Sequence, residues 1–222
     1  AARPEDVGLS SAQLKRIEEV TQKHVDSGLV PGAGMLVARR GKIAWSAPLG
    51  KRDVAGGDAM KFDSIFRIYS MTKPIVSVAV MQMVEEGKLQ VTEPVSRYLP
   101  EIGNMKVGKE VEIDGRMVLQ LSDPVRPMTV QDLMRHTAGL TYGNRGYAAY
   151  ENNGLSSSDL VAERMSGDEF LQKLGALPLH FQPGSAWDYG FGFDVLGLAI
   201  EAVSGQSLAD FLQERLFGPL AM

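Results

Sequence analysis

The first part of the chain alternates apolar and polar positions with a helical period and then with a strand period. Residues 12–26 place apolar side chains at helical spacing behind Ser10-Ser11, which predicts an amphipathic helix with a serine cap. Two short apolar runs follow, 33–38 and 42–46, and a turn at Arg39-Arg40-Gly41 separates them. This spacing predicts two antiparallel strands in a hairpin.

The next apolar stretch, 75–84, is apolar on nearly all sides and predicts a helix buried in a core. Pro74 stands just before it, and proline is tolerated in the first turn of a helix, where its missing N–H would lack a partner anyway. This places Ser70 at the very start of the helix, beside free amides and the positive end of the helix dipole. An oxyanion at that position would be stabilised.

The second half of the chain is mainly helical. The predicted elements are a hairpin at 111–119 with an Asp-Gly turn, a helix capped by Thr129 and ending near Gly139, a helix at 166–174 with Ser166 as cap and Glu169 as its box partner, a helix at 194–203 and a last helix at about 208–216. Strands come first and helices follow, which favours an α+β fold over the regular alternation of a parallel α/β fold.

Composition narrows the function classes. The 222 residues are 44% hydrophobic and 23% charged with a net charge of −4, which is ordinary for a globular protein and disfavours nucleic acid as a partner. The chain has no cysteine, and its three histidines are far apart, so disulfides are excluded and a metal site is disfavoured. It has no apolar run of membrane-spanning length and no Gly-x-Ser-x-Gly elbow.

Ser70 and Lys73 form a Ser-x-x-Lys tetrad, and residues three apart share one face of a helix. A lysine whose pKa is lowered by burial or nearby charge could accept the serine proton and so activate the hydroxyl as a nucleophile. Chance alone produces about one such tetrad in a chain of this length. The alternative interpretation is therefore a helix N-terminus followed by a solvated lysine.

Several further segments favour the first of these interpretations, because they occur together in the order and approximate spacing of one protein family. They are 66–73, 93–100, 128–140, 181–184, 189–197 and 216–222. Together they resemble the serine beta-lactamase-like superfamily, in its class C-like branch, and are most similar to family VIII carboxylesterases. The resemblance implies a beta-lactamase/DD-peptidase-like α+β fold, with an antiparallel sheet flanked by helices and a mainly helical subdomain.

The resemblance also implies roles for three residues. Ser70 matches the acylated nucleophile, and its backbone amide matches one half of the oxyanion hole. Lys73 matches the tetrad lysine, and Tyr189 matches the tyrosine that acts with it as base and acid. A lysine cation favours tyrosinate and a desolvated lysine favours the neutral amine, so the pair is expected to titrate as one coupled unit. The alternative for Tyr189 is a core aromatic.

The sequence departs from the family pattern in two ways. Phe191 stands where beta-lactamases have the asparagine of Tyr-x-Asn, which favours an esterase over a beta-lactamase. The family's third motif, on a strand of the central sheet, lies beyond Met222. We therefore expect a fragment, a cleaved product or an incompletely described protein with an incomplete sheet, divided into residues 1–65 (α/β part) and 66–222 (helical part).

The candidates for substrate binding are Tyr69, Tyr142 and Phe191, and the glycine- and tyrosine-rich loop adds Asn144 and Tyr147. His136 is interpreted as structural, with its ring satisfying loop backbone.

The sequence thus predicts a serine carboxylesterase that cleaves small esters without metal or organic cofactor, possessing at most weak beta-lactamase activity. The alternatives are a beta-lactamase or DD-peptidase, and a non-catalytic ligand-binding member of the fold. A small-molecule ester is the expected partner, with neither nucleic acid nor membrane, and the catalyst is expected to need the remaining part of the same fold. The lack of a hydrophobic signal core favours the cytoplasm over the periplasm or secretion.

Overall fold

The computed structural model describes residues 1–143, 155 and 165–222. They divide into two compact units, Ala1–Ile68 and Tyr69–Met222. The tetrad lies in the second unit together with the turn that carries it.

The first unit consists of one long helix and a hairpin. Helix α1 (Ser11–Asp26) begins at Ser10, whose hydroxyl accepts a hydrogen bond from the amide of Gln13. Strands β1 (Gly32–Arg39) and β2 (Lys42–Gly50) pair antiparallel. The predicted helix and hairpin are both confirmed. The two turn residues, Arg40 and Gly41, both have positive φ, which suits the right-handed twist of the strands.

The second unit is mainly helical, as predicted. Within the described residues its helices and strands are α2 (Thr72–Glu85), β3 (Val107–Ile113), β4 (Arg116–Ser122), α3 (Val130–Met134), α4 (Gly167–Gly175), α5 (Gly192–Ser204) and α6 (Leu208–Leu212), with a π-helical turn at Gln213–Phe217 after α6. Strands β3 and β4 form the predicted hairpin, and Asp114 and Gly115 both take positive φ in its turn. In the described part of the chain the strands make two separate two-stranded sheets, so the α+β class is confirmed without one continuous sheet.

The core of the second unit forms around α5, which packs against α2, α3 and α6. Its largest fully buried side chains are apolar and come from most of its elements: Val80, Met83, Leu89, Val95, Leu133, Leu155, Leu174, Leu179, Phe191, Leu196 and Ile200. Burial of this kind stabilises a fold by about 25 cal/mol per Å² of apolar surface. The core therefore fixes how the start of α2 and the segment before α5 lie relative to each other.

Helix α2 differs from its prediction. Only one face is buried, through Val76, Val80 and Met83, whereas Val78 and Met81 on another face are 45% and 44% exposed. The apolar pattern on all sides of α2 predicts burial on all sides. Packing against α5 covers a single stripe, because side chains three or four positions apart share a face of a helix.

A buried carboxylate organises the start of α3. Asp132 accepts hydrogen bonds at 2.6 and 2.9 Å from the guanidinium of Arg126, and further bonds from the amide and hydroxyl of Thr129 and the hydroxyl of Thr137. Burial by itself would raise the pKa of Asp132, but these donors lower that pKa to about 2. The predicted Thr129 cap is confirmed and is part of a full capping box.

Helix α3 ends earlier than predicted. Its last residue is Met134, and His136 follows with a left-handed backbone at φ 57°. A left-handed residue commonly ends a helix, although glycine usually fills that position. The sequence pattern pointed to Gly139, which has φ 89° but lies further along the same loop.

No single helix in the described ranges is long and apolar enough to span a membrane. One pair, Gly192–Ser204 with Leu208–Phe217, meets that test jointly by length and composition and is bent by 82°.

Candidate active site

Ser70 and Lys73 lie where a single 3-10 turn, Tyr69–Met71, runs into α2. The Nζ of Lys73 lies 3.4 Å from the Oγ of Ser70, so one helical turn brings the amine to the hydroxyl. Pro74 is the third residue of α2, within its first turn. The hydroxyl is therefore held at the N-terminal end of a helix, with an amine beside it.

Tyr189 completes a cluster of three polar side chains. Its hydroxyl is hydrogen-bonded to the Oγ of Ser70. The Nζ of Lys73 lies 4.5 Å from the centroid of the Tyr189 ring and 5.7 Å from that of Phe193. The structure thus brings together the three residues that the sequence proposed as catalytic.

The surroundings of Tyr189 favour its ionised form. Partial burial raises the pKa of Tyr189, but hydrogen bonds with Lys73 and Ser70 and the charge of Lys73 outweigh it, so the net pKa lies below its ordinary value of 10. The charge of Asp194 opposes this shift. A phenol with a lowered pKa is a better proton acceptor at moderate pH than a free tyrosine.

Tyr189 is held in place by its backbone neighbours. A Cβ atom on Gly190 would lie 2.6 Å from the carbonyl oxygen of Leu140 and from the Cα of Thr141, so only glycine allows this close approach. The amide of Asp188 donates to the carbonyl of His136 at 3.0 Å. The segment that carries Tyr189 is therefore fastened on both sides of the tyrosine to the loop that follows α3.

Two of the three predicted substrate-binding residues border the cluster. Tyr69 is 74% exposed and has a left-handed backbone at φ 44°, directly before Ser70. Such a conformation is strained for an aromatic residue, and strain of this kind occurs often at functional sites. Tyr142 is half-buried, with its ring 5.7 Å from the ring of Tyr189.

The third candidate, Phe191, lies in the core. Its side chain is fully buried and packs edge-on against Tyr142 at 4.8 Å and Phe170 at 5.5 Å. Tyr189 precedes the N-terminus of α5, whereas two residues later the chain has turned into the core. Phe191 therefore belongs to the core, and its burial lends no support to the predicted contact with substrate. Asn144 and Tyr147 lie outside the described residues.

His136 and Trp187 are neighbours of Tyr189 that sequence reasoning did not place at the site. The ring of His136 lies 4.6 Å from that of Tyr189, and the ring of Trp187 lies 6.4 Å from it. The predicted role of His136, satisfying loop backbone through its ring, does not hold for Nδ1, which has no hydrogen-bond partner in the described part of the chain. No signal in a single sequence links residue 136 to residue 189.

Within the described ranges, no group of three or more acidic, histidine or cysteine side chains could hold a metal ion. The chemistry that this arrangement offers is that of a hydroxyl nucleophile with an amine and a phenol as proton carriers.

Residues 17–222 match the sequence profile of the Beta-lactamase family. Esterase EstB of Burkholderia gladioli is 34% identical over 222 residues, which cover 99% of this chain and 53% of that protein. The lovastatin esterase of Penicillium rubens is 30% identical over 211 residues, covering 90% of this chain and 50% of the relative. The chain thus spans about half the length of the curated relatives it matches.

The fold is also similar to that of solved structures. EstCE1, described as a hydrolase with promiscuous acyltransferase activity, superposes with a TM-score of 0.77 at 29% identity, covering 94% of this chain and 51% of its own. Simvastatin synthase (LovD) of Aspergillus terreus superposes with a TM-score of 0.75 at 26% identity, covering 100% and 52%.

Proposed function

Because the chain belongs to the Beta-lactamase family, we propose that it acts as a serine hydrolase of carboxylesterase type, which cleaves small esters through an acyl-enzyme on Ser70. The observation that supports this most directly is the hydrogen bond between the hydroxyls of Tyr189 and Ser70, with the amine of Lys73 at 3.4 Å from the same oxygen. A serine hydroxyl needs such a base within hydrogen-bond reach to become a nucleophile.

In the acylation step, the Oγ of Ser70 attacks the carbonyl carbon of the ester. Its proton passes to the pair formed by Tyr189 and Lys73, and the carbonyl oxygen becomes an oxyanion. The amide of Ser70, at the start of α2, supplies one half of the oxyanion hole. Collapse of this intermediate breaks the bond to the alcohol, which leaves with the proton that the pair had taken.

Deacylation repeats these steps with water in place of serine. The pair takes a proton from water, the resulting hydroxide equivalent attacks the acyl carbon, and the proton returns to the Oγ of Ser70 as the carboxylic acid leaves. Every proton is carried by Tyr189 and Lys73, so the proposal requires no metal or organic cofactor. The hydroxyl of Tyr189 and the amine of Lys73 both lie beside the Oγ of Ser70, so the proposed base is the pair and not one residue alone.

Two observations favour an ester over a beta-lactam or a peptide as substrate. The second residue after Tyr189 is the buried Phe191, so this position offers no side-chain amide to a beta-lactam. Two relatives with at least 30% identity are named as esterases. The exposed ring of Tyr69 and the half-buried ring of Tyr142 are proposed to contact the substrate.

The test compares steady-state hydrolysis of p-nitrophenyl butyrate with that of nitrocefin, and adds mass spectrometry after treatment with a fluorophosphonate probe. The proposal expects faster turnover of the ester and a single adduct on Ser70, both lost in Ser70→Ala. Faster turnover of nitrocefin would support the beta-lactamase alternative instead. An unlabelled Ser70 together with no turnover would support the non-catalytic alternative.

A further inference from the structure

His136 presents its ring to the catalytic tyrosine. It follows the last residue of α3 by two positions, and its left-handed backbone, at φ 57°, turns the chain there. The imidazole is tilted by 31° against the phenol ring of Tyr189, with the ring centroids 4.6 Å apart. The rings of Phe193 and Trp187 lie 5.4 and 5.9 Å away and enclose the imidazole on further sides.

Packing alone does not explain why this ring is an imidazole. The Nδ1 of His136 is buried, and within the described residues it has no hydrogen-bond partner. A buried polar atom without a partner costs about 1–3 kcal/mol. The backbone of His136 does not need the ring as a partner, because its amide donates a hydrogen bond to the carbonyl of Leu133 and its carbonyl accepts one from the amide of Asp188. A phenylalanine ring would fill the same space without that cost.

The charges around His136 keep its ring neutral. Burial lowers the pKa of His136, and the nearby charge of Lys73 lowers it further, while Asp188 opposes both. Asp188 also faces His180, whose Nδ1 lies 3.9 Å from its carboxylate. At neutral pH the imidazole is therefore uncharged and adds no second cation beside Lys73.

We propose that His136 is a positioning residue for Tyr189, and that its protonation in acid disables the site. The neutral ring holds the phenol so that its hydroxyl meets Ser70. An imidazolium would instead place a second positive charge next to Lys73, which repels the ammonium from its position over the phenol. This inference rests on the proposed esterase function and deepens it.

The kinetic test uses two substitutions of His136 and follows kcat for p-nitrophenyl butyrate from acid to neutral pH. His136→Phe keeps a flat ring that cannot be protonated, and His136→Ala removes the ring. In the parent, lowering the pH should first decrease log kcat by about one per pH unit, as the pair of Tyr189 and Lys73 is protonated. The slope should then steepen toward about two per pH unit when His136 is protonated as well. His136→Phe keeps neutral-pH turnover within about threefold and loses the steepening.

His136→Ala should lower kcat by about ten- to a hundredfold and change KM by less than about twofold, because the phenol loses its support while substrate contacts remain. His180→Gln is the matched control, since this histidine also faces Asp188, and it should keep the steepening. The proposal is overturned if His136→Phe retains the steepening of the parent, or if His136→Ala retains its kcat.

A second measurement does not depend on activity. The chain has three histidines, so NMR titration of the imidazole Cε1–H signals resolves them, and His136→Phe identifies the one that it lacks. That signal should titrate below the ordinary pKa of about 6.5 and shift again in alkali when Tyr189 ionises. The alkaline shift should vanish in Tyr189→Phe.

The two measurements separate failure of the inference from failure of the proposed function. If the parent neither hydrolyses esters nor labels on Ser70, the esterase proposal fails, and the NMR titration still decides whether His136 and Tyr189 are coupled. If the esterase is active but the His136 signal shows no alkaline shift, the positioning role is refuted and the esterase proposal stands.

Discussion

The hydroxyl of Tyr189 is hydrogen-bonded to the Oγ of Ser70 across 119 positions of sequence. Ser70 stands at the start of α2 and Tyr189 stands before α5, and these two helices pack against each other in the core. The contact between the two hydroxyls is thus a consequence of helix packing. Substitutions that change this packing, or that remove the charge of Lys73, should therefore change how Tyr189 and Ser70 interact.

Replacing Lys73 by alanine should raise the pKa of Tyr189. Partial burial and the charge of Asp194 raise that pKa, whereas Lys73 lowers it by hydrogen bonding and by its charge. In the variant the burial, the charge of Asp194 and the bond to Ser70 remain. The measurement is an absorbance titration of the tyrosinate band. The chain has six tyrosines, so the difference between each protein and its Tyr189→Phe counterpart isolates the residue.

Lys109→Ala is the matched control, because this lysine is exposed on β3 and its loss should leave the titration unchanged. Turnover should fall by about a hundredfold or more in Lys73→Ala, as expected when a proton carrier is removed. An unchanged Tyr189 titration in Lys73→Ala would show that the lysine does not act on the phenol.

Gly190→Ala should reduce turnover as well as stability. The added methyl group would lie 2.6 Å from backbone atoms of Leu140 and Thr141, so the segment that carries Tyr189 must move. We expect kcat to fall by about tenfold or more, because small displacements of a catalytic group are costly. Steady-state kinetics and urea unfolding measure the two effects.

Gly205→Ala provides the comparison for Gly190→Ala. Gly205 ends α5 with φ 71°, and a Cβ atom there would meet no other atom within 4 Å. Alanine in this left-handed conformation should cost about 1 kcal/mol of unfolding free energy and leave kcat unchanged. If both variants lose turnover equally, the effect at Gly190 is not local to the site.

The sequence predicts the local parts of the site and not its long-range contacts. Ser70 and Lys73 share a helical turn, and Pro74 marks where that turn begins, so their proximity follows from helix geometry. The partner of this pair is 119 positions away, and only resemblance to a family pointed to it. The contact of His136 with Tyr189 had no sequence signal at all.

The findings on α2 and on Phe191 have a common physical origin. The apolar run of α2 and the apolar ring of Phe191 were both interpreted from residue type, whereas burial is decided by which elements pack nearby. Helix α2 is covered on one side only, and Val78 on another face is 45% exposed. Phe191, an apolar residue next to the proposed site, directly precedes α5, and its side chain is fully buried in the core.

Asp132→Asn should lower the free energy of unfolding by about 2 kcal/mol at neutral pH. The buried carboxylate accepts charge-assisted bonds from Arg126 and bonds from Thr129 and Thr137, which a neutral amide cannot all replace. Urea unfolding followed by circular dichroism measures the change. Asp123→Asn is the control, because its pair with Lys106 is exposed and should contribute less than about 1 kcal/mol.

The contribution of Asp132 should also depend on pH. Its pKa is about 2 in the folded chain and about 3.9 when unfolded, so the unfolded chain binds the proton more readily. The stabilisation is therefore complete above about pH 4 and is lost as the pH falls toward 2. The gap between parent and Asp132→Asn should narrow over that range, and a gap of constant size would contradict the assignment.

Phe191→Asn tests whether this position selects the substrate or supports the core. The substitution restores the Tyr-x-Asn pattern of beta-lactamases, so a role at the site predicts a gain of nitrocefin hydrolysis. The structure predicts no such gain, because the side chain is fully buried against Phe170 and Tyr142.

Burying a polar amide in the cavity left by Phe191 should lower the free energy of unfolding by about 3 kcal/mol or more. Phe191→Leu, which retains an apolar side chain, should cost less than about 1.5 kcal/mol and keep ester turnover. Urea unfolding and nitrocefin kinetics on both variants distinguish a role in the core from a role in substrate binding. A Phe191→Asn variant that is as stable as the parent and hydrolyses nitrocefin would place residue 191 in contact with substrate, against its burial in the core.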